Sequence, residues 1–163
     1  MRKRGEKMMK RNILLYPMYF ALALICLSSC GKSIIVSEAI ISKIDQTCDE
    51  DGNCIVNLNE IVKFDWDKAA FFREGCSSRE LSEALGINYQ KSYGASCGMI
   101  FVYKDKIVHK ETFFMKIDEH NRFRVIINEG YGWIGIITPE NSLINAHVST
   151  HEGKDYYSVR IGG

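Results

Sequence analysis

The chain has 163 residues, with 21 Lys and Arg set against 20 Asp and Glu. That length supports one domain with a substantial core and leaves no room for two. The balanced charge, with no basic stripe interleaved with aromatics, argues against nucleic acid as a partner.

The N-terminus is basic: Arg2, Lys3, Arg4, Lys7, Lys10 and Arg11 face one acid, Glu6. From Ile13 to Leu27 the chain is almost wholly apolar. A positive start, a short apolar stretch and small residues at its end make a secretory leader. A membrane span needs about 20 apolar residues, and this run is shorter and interrupted by Pro17. Met8 and Met9 each allow a later start with Lys10 and Arg11 still in front of the apolar run. Leu27-Ser28-Ser29-Cys30 closes the leader and resembles the lipobox of bacterial lipoproteins. The resemblance implies that Cys30 is lipidated and becomes the first mature residue. It also implies a place in the bacterial cell envelope, held to a membrane through the lipid. Gly31, where an inner-membrane signal has Asp, implies the outer membrane facing the periplasm. The expected division is a leader over 1–29, a lipidated N-terminus and tether over 30–37, and a globular domain over 38–163. The leader takes six basic residues and one acid, which leaves 15 and 19, a mature net charge of −4.

Cys26 leaves with the leader, so Cys48, Cys54, Cys76 and Cys97 remain beside Cys30. An even number in an oxidising compartment reads as two disulfides. Three pairings are open, and Cys48–Cys54 with Cys76–Cys97 is preferred. The first pair flanks Asp51-Gly52, a hairpin-turn signal that brings two cysteines within disulfide reach. The second would tie the start of a helix to the start of a strand. The spacing lacks the paired Cys-x-x-Cys of a zinc site.

In chain order, Ser37 is a candidate cap for a helix through Glu38, Ile40, Ile41 and Ile44. Ile55–Leu58 follows the cysteine turn, and Lys68–Phe72 reads as a strand. Ser77 and Glu80 make a capping box for a helix to Leu85, which Gly86 stops. The rest is β: Met99–Tyr103 and Ile107–Lys116 as a hairpin, then Arg122–Asn128, Trp133–Thr138, Leu143–Val148 and Tyr156–Ile161. The expected fold is α+β, one small domain with an antiparallel sheet of about 5–7 strands and one or two short helices.

Several motifs match only in letters. Gly94-Ala95-Ser96-Cys97-Gly98 fits a nucleophile elbow, but a strand follows where a helix is needed. Gly130, Gly132 and Gly135 fit a dinucleotide fingerprint but run into strand chemistry ended by Pro139. His147 and His151 would lie about 13 Å apart on a strand, too far for one metal ion. Asp49, Asp51 and Gly52 resemble part of a calcium loop, yet Thr47 and Leu58 stand where it needs acids. No metal or cofactor is expected.

Phe64-Asp65-Trp66-Asp67-Lys68 carries two carboxylates, two residues apart, that share a face in extended chain. Paired carboxylates can do acid–base work. Burial of Trp66, with the acids capping a turn or pairing with Lys63 and Lys68, is the plainer reading. The stretch from Asn57 to Phe72 resembles a Trp-Asp-Lys strand motif of small bacterial envelope lipoproteins, a group that implies no settled activity. Tyr131, Trp133, Tyr156, Tyr157, Phe113 and Phe114 add an aromatic surplus suited to a protein-binding face. The candidate binding residues are therefore Asp65, Trp66, Asp67, Tyr131 and Trp133. The expected function is non-catalytic: a lipid-anchored envelope protein that binds a protein partner, for example as an immunity-type lipoprotein. An envelope assembly or maintenance factor is the first alternative. A small hydrolase using Asp65 and Asp67 is the second.

Overall fold

The computed structural model describes residues 35–90, 96–114, 122–128, 130 and 132–162. The leader, Cys30, Gly94, Ala95 and Tyr131 lie outside the described residues, as does the side chain of Phe114. The elements are α1 (Val36–Thr47), β1 (Asn53–Asn57), the single turn α2 (Leu58–Ile61), β2 (Lys68–Phe72) and α3 (Ser78–Leu85). Then come β3 (Ser96–Tyr103), β4 (Lys106–Phe114), β5 (Phe123–Ile127), β6 (Ile134–Ile137), a 3₁₀ turn (Pro139–Asn141), β7 (Leu143–His151) and β8 (Lys154–Ile161).

The α+β class expected from the sequence is what the chain adopts. Its strands divide between two sheets of four, ordered β1-β7-β8-β5 and β4-β3-β2-β6, where a single sheet was expected. All pairings are antiparallel except β5 with β8, which run parallel. The division has a plain cause in the strand sequences. Within β2 and β3 nearly every residue is buried, the mark of a sheet covered on both faces. β5 alternates buried and open positions, the mark of a sheet with one wet face. Accordingly Ala69, Phe71, Met99 and Phe101 join Val56, Ile144, Val159 and Ile40 in one core between the sheets and α1. The opposite side of the second sheet packs Ala70, Phe72 and Ile100 against Leu81 and Leu85 of α3. The order of layers is therefore the β1-β7-β8-β5 sheet, a core shared with α1, the second sheet, and α3.

α3 follows its sequence signals. Ser77 Oγ accepts from the Glu80 amide at 3.2 Å, and the Glu80 carboxylate accepts from the Ser77 amide at 2.7 Å. Donation from the Ser77 hydroxyl at 2.6 Å, and then from its amide, holds the Glu80 carboxyl below its usual range. Gly86 closes the helix in the left-handed conformation, and Lys68 Nζ donates to Leu85 O at 3.1 Å. α1 departs from expectation. Ser37 lies inside the helix and Ile35 is the cap residue, with no capping side chain of its own. The cap comes from β4: the Glu111 carboxylate accepts from the Ser37 amide at 3.1 Å and also from the Val36 amide. An anion at a helix N-terminus satisfies otherwise orphaned donors and the helix dipole together.

Of the two expected disulfides, Cys48–Cys54 is present, with Cα atoms 4.5 Å apart. It joins the end of α1 to β1 across a helix-to-strand corner. Cys76 and Cys97 are free, buried thiols, so the second pairing is corrected. The cause is strand alternation. Cys97 shares the Met99 and Phe101 side of β3, where its thiol donates to Phe113 O at 3.7 Å. Cys76 sits on the other side of that sheet, in the cluster with Leu81 and Leu85.

Candidate functional site

Asp65 and Asp67 flank a buried tryptophan. Trp66 is 8 % exposed and meets Phe101 edge-on, ring centres 5.5 Å apart. Asp67 Oδ2 accepts from the Lys104 amide at 2.8 Å, while its own amide donates to Val102 O at 2.9 Å. Lys104 and Asp105 both have positive φ, +48° and +60°, so the β3–β4 connection is a tight hairpin turn. Asp67 thus staples that turn to the start of β2. Asp65 is exposed. The lysines expected to pair with these acids go elsewhere: Lys63 Nζ donates to Glu60 O at 2.5 Å, and Lys68 to α3.

No local sequence signal announces the polar pair on β4. His109 and Glu111 lie two apart on β4 and so share a face. Their side chains are only 13 % and 11 % exposed, with His109 Nε2 2.5 Å from Glu111 Oε1. Phe64 stacks on the imidazole at 5.3 Å and Phe101 meets it edge-on at 6.0 Å. Both Glu111 oxygens are engaged by α1 and Oε1 also by His109, so this group acts as an internal joint between α1 and β4.

The remaining motif residues are also used locally. Asp49 Oδ1 accepts from the Asn53 amide at 2.8 Å. His151 faces Glu152 at 3.9 Å with both side chains largely exposed, a contact of little energetic weight. His147 Nδ1 lies 3.2 Å from Asn53 Oδ1. Among the described residues no three His, Cys, Asp or Glu side chains gather as a metal set. Gly135 marks a close approach of the sheets: a β-carbon there would fall 2.4 Å from Ile161 Cγ2. Among the described aromatics, Tyr157 is buried and Phe113 packs on Phe123 at 5.1 Å.

What remains is the outer face of the β1-β7-β8-β5 sheet. Strand register places its side chains in rows. One row runs Ile55, Asn145, Arg160, Ile126 from edge to edge. The next runs Asn53, His147, Ser158, Arg124. Asn57 pairs with Leu143 on one side of these, and Ser149 with Tyr156 on the other. Ile55 and Leu143 are 62 % and 60 % exposed. A shallow trough of about 550 Å³ opens between the rows, lined by Asn53, Ile126, His147 and Arg160 among others. At the β5 edge a crevice of about 230 Å³ is bounded by Arg73, Glu74, Arg124 and Trp133. There the Arg73 guanidinium lies 4.2 Å from the centre of the Trp133 ring, which is 43 % exposed. Of the sequence-derived binding residues that are described, Trp133 borders this surface, and Asp65, Trp66 and Asp67 belong to the β2 end of the other sheet. The one signal for the face was the alternation of β5, β7 and β8 with isoleucine, leucine and arginine at outward positions.

The chain matches no protein-family model, no curated protein and no solved structure.

Proposed function

We propose that this protein is a lipid-tethered module of the bacterial cell envelope that binds a protein partner and performs no chemistry itself. The supporting observation is the outer face of the β1-β7-β8-β5 sheet. It presents two of the most exposed large aliphatic side chains of the domain, Ile55 and Leu143, within ordered rows of amides and arginines. Exposed apolar anchors beside amides and arginines are the composition of a recognition surface. The use of Asp67 as a turn staple weighs against the hydrolase alternative. The lipid anchor rests on Leu27-Ser28-Ser29-Cys30. Among the described residues no helix is long and apolar enough to cross a membrane. An immunity-type lipoprotein that blocks a delivered toxin is one concrete form of this reading. An envelope assembly factor would use the same face toward a resident protein.

Two measurements test it. The mass of the mature N-terminal peptide should show acylated Cys30, and Cys30→Ser should release the protein from membranes. Capture from secreted and envelope fractions should retain one stoichiometric protein, a toxin in the first form and a resident in the second. An unmodified Cys30, or no retained protein, contradicts the proposal.

A further inference from the structure

The outer sheet face differs in charge from the chain that carries it. Residues 30–163 have a net charge of −4, yet no acid stands at any position of the rows described above. Their only formally charged groups are Arg124 and Arg160, both exposed. The two arginines sit on adjacent strands, one row apart, with Ile126 completing the row of Arg160. Glu74, in the crevice beyond β5, marks where the cationic surface ends.

We infer that this face docks an acidic protein surface, one that presents Asp or Glu side chains interspersed with aliphatic ones. The inference deepens the partner-binding reading and rests on it. Charge complementarity carries the assignment: in a net-acidic domain, the described rows of this face carry two arginines and no acid. Guanidinium groups match carboxylates in a two-pronged geometry that lysine lacks, and arginine is the cation used here. Ile126 supplies apolar contact beside the arginines, and Ile55 and Leu143 supply it toward the β1 edge. The asparagines complete the surround with both donors and acceptors, so they can hydrogen-bond partner main chain in either sense. At the edge, Arg73 on Trp133 combines two residue types that dominate binding energy at protein interfaces.

The test uses the full-length protein in non-ionic detergent and a short fluorescein-labelled peptide of alternating glutamate and leucine. Anisotropy should show binding that weakens as salt rises past the point where exposed charges are screened, about 0.1 M. Arg124→Glu/Arg160→Glu should weaken it by at least about tenfold. Arg124→Gln/Arg160→Gln should fall between, and Lys106→Glu, on the other sheet, should leave it unchanged. Circular dichroism melts of the variants check that they fold. Equal binding by the charge-reversed variant overturns the inference, as does equal binding of a lysine–leucine peptide. So does arginine-dependent binding to phosphatidylglycerol vesicles without peptide binding, which assigns the face to lipid. Arginine-dependent self-association without peptide binding assigns it to a second copy and overturns it too. In the capture experiment, a partner retained equally by the charge-reversed variant keeps the partner-binding reading and removes this face from it. No partner for either form removes both.

Discussion

Glu111 on β4 accepts a hydrogen bond from the Ser37 amide at the start of α1, across 74 residues of sequence. The same carboxylate meets His109, so one acid joins a helix end, a strand and a half-buried imidazole. Glu111→Ala should therefore cost about 1–2 kcal/mol, the usual weight of a lost helix cap. Glu111→Gln, which keeps one acceptor, should recover part of it. Urea unfolding of the full chain measures both, and a Glu111→Ala variant as stable as wild type contradicts the capping role.

The corner between α1 and β1 turns on Gly52. Its φ is +77°, and a β-carbon there would lie 2.1 Å from the Val148 carbonyl oxygen. Gly153 has nearly the same φ, +74°, with nothing within 4 Å of the equivalent point. Gly153→Ala should cost about 1–2 kcal/mol from the left-handed backbone alone. Gly52→Ala should cost more, because it also displaces β7. Thermal melts of the pair separate conformational strain from collision, and equal losses contradict the close approach.

The free thiols are set up to be inert. Burial, and then the nearby Glu80 charge, pushes the Cys76 thiol up to about 11. Burial also raises Cys97. At neutral pH the thiolate of Cys76 should be about a hundredfold scarcer than for an exposed cysteine. Iodoacetamide labelling read by peptide mass should leave Cys76 and Cys97 unmodified in the folded protein and label both in denaturant.

Tyr157 gives the fold a signature at high pH. Burial, and then a hydrogen bond with Asp45 of α1, pushes its phenol up to about 12. A folded-state value above the unfolded one, near 10, means the neutral phenol stabilises the fold below pH 10. That contribution is lost as pH rises from about 10 to 12. Absorbance at 295 nm should show a tyrosine titrating late, and Asp45→Asn should move it earlier.

Much of this architecture was legible in the sequence because its signals are local. The capping box at Ser77 and Glu80, the stop at Gly86, and the alternation of Phe123, Val125 and Ile127 each depend on a few neighbouring residues. The features that escaped depend on pairing between distant segments. Nothing near Ser37 shows that its cap is Glu111, and nothing near Cys76 shows that Cys97 lies across a sheet. The split into two sheets was foreshadowed by unbroken apolar runs in β2 and β3 beside alternating ones in β5, but strand partners decide it. The candidate site followed the same rule. Asp65-Trp66-Asp67 stands out as a contiguous motif, in which Trp66 packs into the core and Asp67 holds the β3–β4 turn. The outward rows draw single residues from four strands, so only the register brings Arg160 beside Ile126.

The most direct test of the binding face is hydroxyl-radical footprinting of the protein in its native envelope and after purification. Ile55 and Leu143 on the open face, and Ile107 and Val108 on β4, are all exposed. All four should react in the purified protein. In the envelope, Ile55 and Leu143 should be protected while Ile107 and Val108 stay reactive. Equal reactivity of Ile55 and Leu143 in both states, or protection confined to β4, would contradict the assignment of this face to a partner.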